Sequence, residues 1–301
     1  MRKYPILFII IFPFLCIISG AQNTNDFDLS KDNEPVTAEA GTSTASVQKA
    51  LDLPPATASP EQDQLRNLVF EEPNPDFSFP ARKRRYFYEG FRQGNNIALT
   101  FDDGPNLQFT SPLLALLREK KVPATFFLLG ENVRLHPQLV KEILESGCEV
   151  GNHSFSHLNL GNATPEKIRE ELEKTQSEIR KACGILPMVL RAPYGVSSEQ
   201  VARTAFELKM DLFFWSIDTS DYKKTVTKDD IVKTALKELK GGSIILMHDN
   251  SRKVLDAVRE IIDPLRQKGF NFVTCSELAR DARANQSQKE KNQEGITNIS
   301  R

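Results

Sequence analysis

Two adjacent carboxylates, Asp102 and Asp103, end an apolar, β-branched run and precede Gly104-Pro105, a turn signal. Neighbours on an extended strand face opposite ways, so both acids can serve one site only if the chain turns there. Such a pair can divide labour, one acid as a charged ligand and the other as a base tuned by its surroundings. His153 and His157 follow in the run HSFSH. On one helical turn this spacing directs both imidazoles to the same side, as a metal requires, although the pair alone could equally be packed histidines. Unlike the HExxH zinc motif, the sequence has Ser154 after the first histidine, so any base must come from elsewhere. Further reactive clusters are Arg191 to Tyr194, Asp218 with Asp221, and His248 with Asp249. Of the chain's 4 histidines, His136 alone lies outside these clusters.

The segments between the clusters alternate regularly. Strands are expected at 97–101, 124–128, 149–152, 188–190, 212–217, 243–247 and 270–274. Helices are expected between them, at 111–121, 137–146, 165–182, 198–209, 228–239 and 252–267. Thr164-Pro165-Glu166 is a start signal, and Gly147, Gly184 and Gly241 follow three ends. Strand, helix, strand repeated about seven times implies parallel strands, an α/β sheet or closed barrel. All five clusters then fall at the carboxyl ends of strands, the rim where such folds gather active sites. Trp215, within the 212–217 strand, is assigned to the core rather than to sugar stacking.

Of 301 residues, Lys+Arg number 39 and Asp+Glu 40, a net charge of -1 that excludes the basic footprint of a nucleic-acid binder. Residues 1–21 read as an export signal: Arg2 and Lys3, an apolar run, then Ser19-Gly20-Ala21. Left uncleaved, the segment would be an N-terminal membrane anchor. Residues 22–92 read as a low-complexity acidic tether, with too few large apolar side chains to offset its ordering entropy. The run Arg82-Lys83-Arg84-Arg85 is assigned to solvated linker, and 281–301 to a polar C-terminal tail, leaving 93–280 as the folded domain. Beyond the signal, Cys148, Cys183 and Cys275 are an odd number, so at least one is unpaired within the chain.

Residues 97–278 resemble the polysaccharide deacetylases, carbohydrate esterase family 4 or the NodB homology domain, in five motifs in order. These are TFDDGP at 100–105, HSFSH at 153–157, RAPYG at 191–195, DTSDY at 218–222 and LMH at 246–248. The resemblance implies a distorted (β/α) barrel of seven or eight βα units. It further implies that Asp103, His153 and His157 hold a divalent metal, commonly Zn, with Co, Ni or Mn able to replace it. Asp102 would be the general base, oriented by Arg191, and the Tyr194 backbone N–H would stabilise the oxyanion. His248, partnered by Asp221, would protonate the departing amine. Leu246 would wall the acetyl pocket, and Tyr222 stands where the family often has Trp. The implied activity is N-deacetylation of an exported, cell-wall or extracellular polysaccharide, peptidoglycan N-acetylglucosamine first and chitin oligomers next. An O-acetyl xylan esterase and a catalytically degenerate carbohydrate-binding module remain as alternatives.

Overall fold

The computed structural model describes residues 85–299, apart from 197 and 238. The expected export signal and the tether up to residue 84 lie outside the described residues. Among the described residues nine strands pair in parallel throughout: β1 (Tyr86–Phe87), β2 (Asn96–Gly104), β3 (Thr125–Leu128), β4 (Glu149–Asn152), β5 (Val189–Leu190), β6 (Asp211–Phe213), β7 (Ile217–Asp218), β8 (Ile244–His248) and β9 (Asn271–Phe272). The order is β1-β6-β5-β4-β3-β2-β8-β7, with β9 on the start of β2. β2 lies between β3 and β8 and reads as a near-continuous apolar run, as a strand covered on both faces must.

Helices cover the outside: α1 (Thr110–Lys120), α2 (Gly130–Leu135), α3 (Pro137–Glu145), α4 (Pro165–Cys183), α5 (Glu199–Glu207), α6 (Lys228–Lys237), α7 (Arg252–Gln267) and α8 (Cys275–Ile299). α4 starts where the Thr164 hydroxyl accepts the Lys167 N–H and Pro165 takes the first turn, and it stops at Gly184, whose φ of 82° suits glycine. α7 buries Val254, Val258, Ile261, Ile262 and Leu265, one stripe at helical spacing. Each such side chain contributes about 1.5–3 kcal/mol by leaving water. An Asp at Ile261 would place a charge in that seam.

The expected 212–217 strand is instead two strands at nearly opposite ends of the sheet. Only residues 214–216 join β6 to β7, four steps from Phe213 to Ile217 that span at most ~13–14 Å. The sheet must therefore curl until β6 approaches β7, which makes a half-barrel that no strand pair closes among the described residues. The interruption has a cause: Arg191 inside the barrel takes the Phe214 carbonyl at 2.8 Å, and the Ser216 N–H donates to Ile244. Trp215 is half-buried against Gly195 and the Arg191 guanidinium, a packing role as expected.

Both expected domain boundaries are corrected outward. The fold includes residues 85–92, assigned above to tether, because Phe87 is fully buried and stacks on Phe213 at 4.8 Å. Arg85, read as linker, pairs with Asp211 at 2.9 Å and donates to the Met210 carbonyl. The tail from 281 continues α8, since Cys275, Leu278, Ala279 and Ala282 form one buried stripe and Arg283 pairs with Asp211. A narrow stripe of small residues on a polar helix gives little hydrophobic signal. Cys148, Cys183 and Cys275 are free thiols. Among the described residues no helix is long and apolar enough to cross a membrane.

Candidate active site

The turn that brings the two acids together is at Asp103 itself. Asp102 pairs with Phe127 and Gly104 with Leu128, so Asp103 is the extra residue of a β-bulge, at φ 70°. The Asn132 side-chain amide holds the Asp103 carbonyl at 2.7 Å, and the Leu129 N–H holds that of Gly104 at 2.9 Å. Gly104 is required here, because a Cβ would lie 2.7 Å from the Asp249 carboxylate.

HSFSH is not a helical turn, which corrects the expectation above. It is a loop leaving β4, with Ser154 at φ 66° and His157 at φ 58°. Its geometry still unites the imidazoles: Asp103 Oδ1 lies 3.4 Å from His153 Nε2 and 3.3 Å from His157 Nε2. These three ligand atoms lie within 4.8 Å of one another. The other ring nitrogens are engaged, His153 Nδ1 with the Arg191 carbonyl at 2.7 Å and His157 Nδ1 with the Tyr194 hydroxyl at 3.2 Å. With Nδ1–H donating, each Nε2 presents a lone pair, the arrangement that orients metal-binding histidines. Asp103 Oδ1 is buried and makes no hydrogen bond, an orphan costly to leave so. Two imidazole nitrogens converging on this one carboxylate oxygen fit a divalent cation.

Asp102 stands apart from that trio in its bonding. Its Oδ1 accepts from Arg191 at 2.7 Å, and its Oδ2 lies 3.8 Å from His153 Nε2. Arg191 is fully buried, donating also to the Thr100 hydroxyl and stacking on Phe127, with its carbon 4.3 Å from that ring's centroid. On the opposite side, His248 Nδ1 meets Asp221 Oδ1 at 2.9 Å, while Asp221 Oδ2 accepts the His248 backbone N–H at 3.0 Å. Its Nε2 points to Asp103, 3.9 Å from Oδ2. Leu246 shares the face of β8 with His248 and is buried, and the Tyr222 and His248 rings meet edge to face with centroids 5.8 Å apart. All ten expected site residues thus gather at one rim, whereas Asp218 uses its carboxylate to cap a turn at Ser220.

The charges reinforce one another. Burial opposes ionisation of Asp103, but the imidazoles of His153, His248 and His157 outweigh it and hold the carboxyl well below the usual range. Burial likewise pulls His248 down, yet Asp221, then Asp103 and Asp102, push it up to about 10. His153 is raised by Asp102 and Asp103 against its burial, whereas burial lowers His157. Asp249, not assigned a role above, is pushed up to about 7 by burial and accepts the Thr110 hydroxyl, its carboxylate lying beside Gly104. Sequence reasoning also missed Glu171, whose carboxylate reaches the HSFSH backbone from mid-helix, a position with no local signal.

The polysaccharide deacetylase family model matches residues 91–213. A peptidoglycan-N-acetylglucosamine deacetylase of Bacillus cereus is 37% identical over 202 residues, covering 66% of this chain and 73% of that protein. The peptidoglycan-N-acetylmuramic acid deacetylase PdaC of Bacillus subtilis is 38% identical over 182 residues, 60% of this chain but 38% of its own length. This chain therefore spans well under half of PdaC. Among solved structures, the Bc1960 peptidoglycan N-acetylglucosamine deacetylase, in complex with an N-hydroxybenzamide, superposes with a TM-score of 0.63 at 36% identity. That match covers 66% of this chain and 95% of the other. With the curled parallel sheet and the rim of clustered acids and imidazoles already in place, these likenesses establish that the chain belongs to the polysaccharide deacetylase family, hydrolases of carbohydrate acetyl groups.

Proposed function

We propose that the chain removes N-acetyl groups from an amino-sugar polymer, with peptidoglycan N-acetylglucosamine as the favoured substrate and chitin-type oligomers next. The observation that carries this is the orphaned Asp103 Oδ1 facing two imidazole nitrogens, flanked by the separately paired Asp102–Arg191 and His248–Asp221. Asp103, His153 and His157 would hold a divalent cation, zinc first. When bound, it supplies Lewis acidity that polarises the acetamide carbonyl and acidifies water. Binding alone needs no such acid and base around the trio, which disfavours a degenerate carbohydrate-binding module.

Asp102 takes a proton from the attacking water, with Arg191 fixing its Oδ1 so that Oδ2 faces the site. As the water oxygen bonds to the carbonyl carbon, the Tyr194 backbone N–H stabilises the oxyanion; a φ of 62° at this residue turns its peptide out of the helical path. His248, held protonated by Asp221, gives its Nε2 proton to the nitrogen as the C–N bond breaks, releasing acetate and a free amine. Leu246 lines the methyl pocket, and Tyr222 and Tyr194 flank the sugar.

The N-terminal export pattern and acidic tether support action outside the cytoplasm, on wall or extracellular polymer, with the signal as an anchor if uncleaved. Acetate release measured across peptidoglycan, chitin-oligomer and acetylxylan fragments tests the reading. N-acetylated fragments are expected to be hydrolysed, with peptidoglycan ahead. Release from acetylxylan alone would overturn it in favour of the O-acetyl esterase.

A further inference from the structure

His153 and His157 are held by different means. His153 belongs to the end of the sheet: its N–H donates to the Leu128 carbonyl at 3.0 Å and its Nδ1 is fixed on Arg191. His157 stands four residues out, at the end of a loop containing two left-handed residues, a conformation that side chains disfavour. The amides between them converge on α4. Glu171 Oε2 accepts the Phe155 N–H and the Ser156 N–H, each at 2.9 Å, and the Ser156 hydroxyl lies 3.1 Å from Oε1. This carboxylate is 3% exposed, and Lys167 Nζ, at 3.4 Å, faces it from the preceding turn. From the other side, α2 gives its Gly130 and Glu131 N–H groups to the loop carbonyls of Ser154 and Phe155. Phe155 packs so closely on Gly130 that a Cβ there would sit 2.4 Å from its ring.

We infer that Glu171 is a positioning residue for the cation site, its buried carboxylate holding the HSFSH backbone in the conformation that delivers His157. The inference rests on the cation site proposed above. Without that carboxylate two backbone N–H groups lose their acceptor, the left-handed residues relax, and His157 withdraws while His153 and Asp103 stay. Two N–H groups, one buried and one part-buried, converging on one carboxylate oxygen make a charge-assisted pairing that a neutral amide only partly replaces.

The test uses the full chain, stripped by chelator and titrated with Co2+, read by the d–d absorption bands, with thermal melting of the metal-free protein alongside. Glu171→Ala is expected to weaken Co2+ binding by about 10–100-fold and to change the band shape, as loss of an outer partner of a metal ligand does. Glu171→Gln, which keeps one oxygen for the two N–H groups, is expected to fall between Ala and wild type. A Glu171→Ala protein with wild-type affinity and bands overturns the inference, even if its melting point falls, because support of the fold alone would not spare the ligand field. Should Glu171→Ala not fold, Glu171→Gln decides: binding weaker by about threefold or more supports the inference, and wild-type binding and bands refute it. Wild-type protein that binds no Co2+ refutes the cation site itself, and the inference with it.

Discussion

Replacing Asp221 by Asn isolates the charge that, in the proposed mechanism, keeps His248 a proton donor. The buried carboxylate makes two bonds to His248, at 2.9 Å to Nδ1 and 3.0 Å to the backbone N–H. Asn keeps the volume and the oxygen for Nδ1 but loses the charge, and its amide opposes the backbone N–H. An opposite charge at this range moves a pKa by about 1–3 units, so the largest single contribution to the rise to about 10 over the ordinary imidazole value is at stake. The donor must be protonated for the amine to leave, so kcat/KM falls as pH rises through its pKa. Asp221→Asn is expected to move that alkaline limb down by about 1–3 pH units. The rate on the acid side of the limb should also fall, because the ring loses its fixed orientation. A cation held by Asp103, as proposed, would oppose the charge on His248, so the wild-type limb is expected below 10. Because the folded pKa is raised, the pair's stabilisation is complete below about pH 6.5 and fades as pH climbs through about 10. The variant's deficit in melting temperature should shrink the same way. Acetate release from a chitin oligomer across pH 6–11, roughly the span of these values, provides the assay. An unmoved alkaline limb in Asp221→Asn would refute the assignment of His248 and its partner.

Asp102→Asn should still bind metal yet lose about 10²–10⁴ in kcat, the usual contribution of a general base, as judged by equilibrium dialysis beside turnover; near-normal turnover would mean a different base. Arg191→Met strands the buried Asp102 carboxylate without its partner, a loss of about 3–5 kcal/mol visible as a lower urea midpoint, and a wild-type midpoint would contradict the structural role given to Arg191. Phe87→Ala removes a fully buried ring from β1 and should cost about 3–5 kcal/mol. The same unfolding assay would show no change if the folded domain began only at residue 93.

Strand ends were the most legible feature of the sequence, because chemistry-bearing residues follow β-branched runs and a parallel fold leaves them one common rim. Asp102, His153, Arg191, Asp221 and His248 come from separate strands or the turns after them, and meet as that rule requires. What escaped was long-range or local backbone detail. The crossing at residues 214–216 is dictated by Arg191, 23 positions away from the carbonyl it holds, so an apparently continuous strand gave no sign of dividing. The left-handed Asp103 and His157 are non-glycine residues held by tertiary hydrogen bonds, and nothing in DDGP or HSFSH places the bend at those positions. β1 was hidden by the basic run before it, and α8 by a stripe too narrow to stand out from its polar faces.

X-ray data collected at the zinc edge from crystals grown with zinc test the account most directly. A single anomalous peak bonded to Asp103 Oδ1, His153 Nε2 and His157 Nε2 is the result expected. No peak among those three atoms, in crystals that show zinc elsewhere, would contradict it.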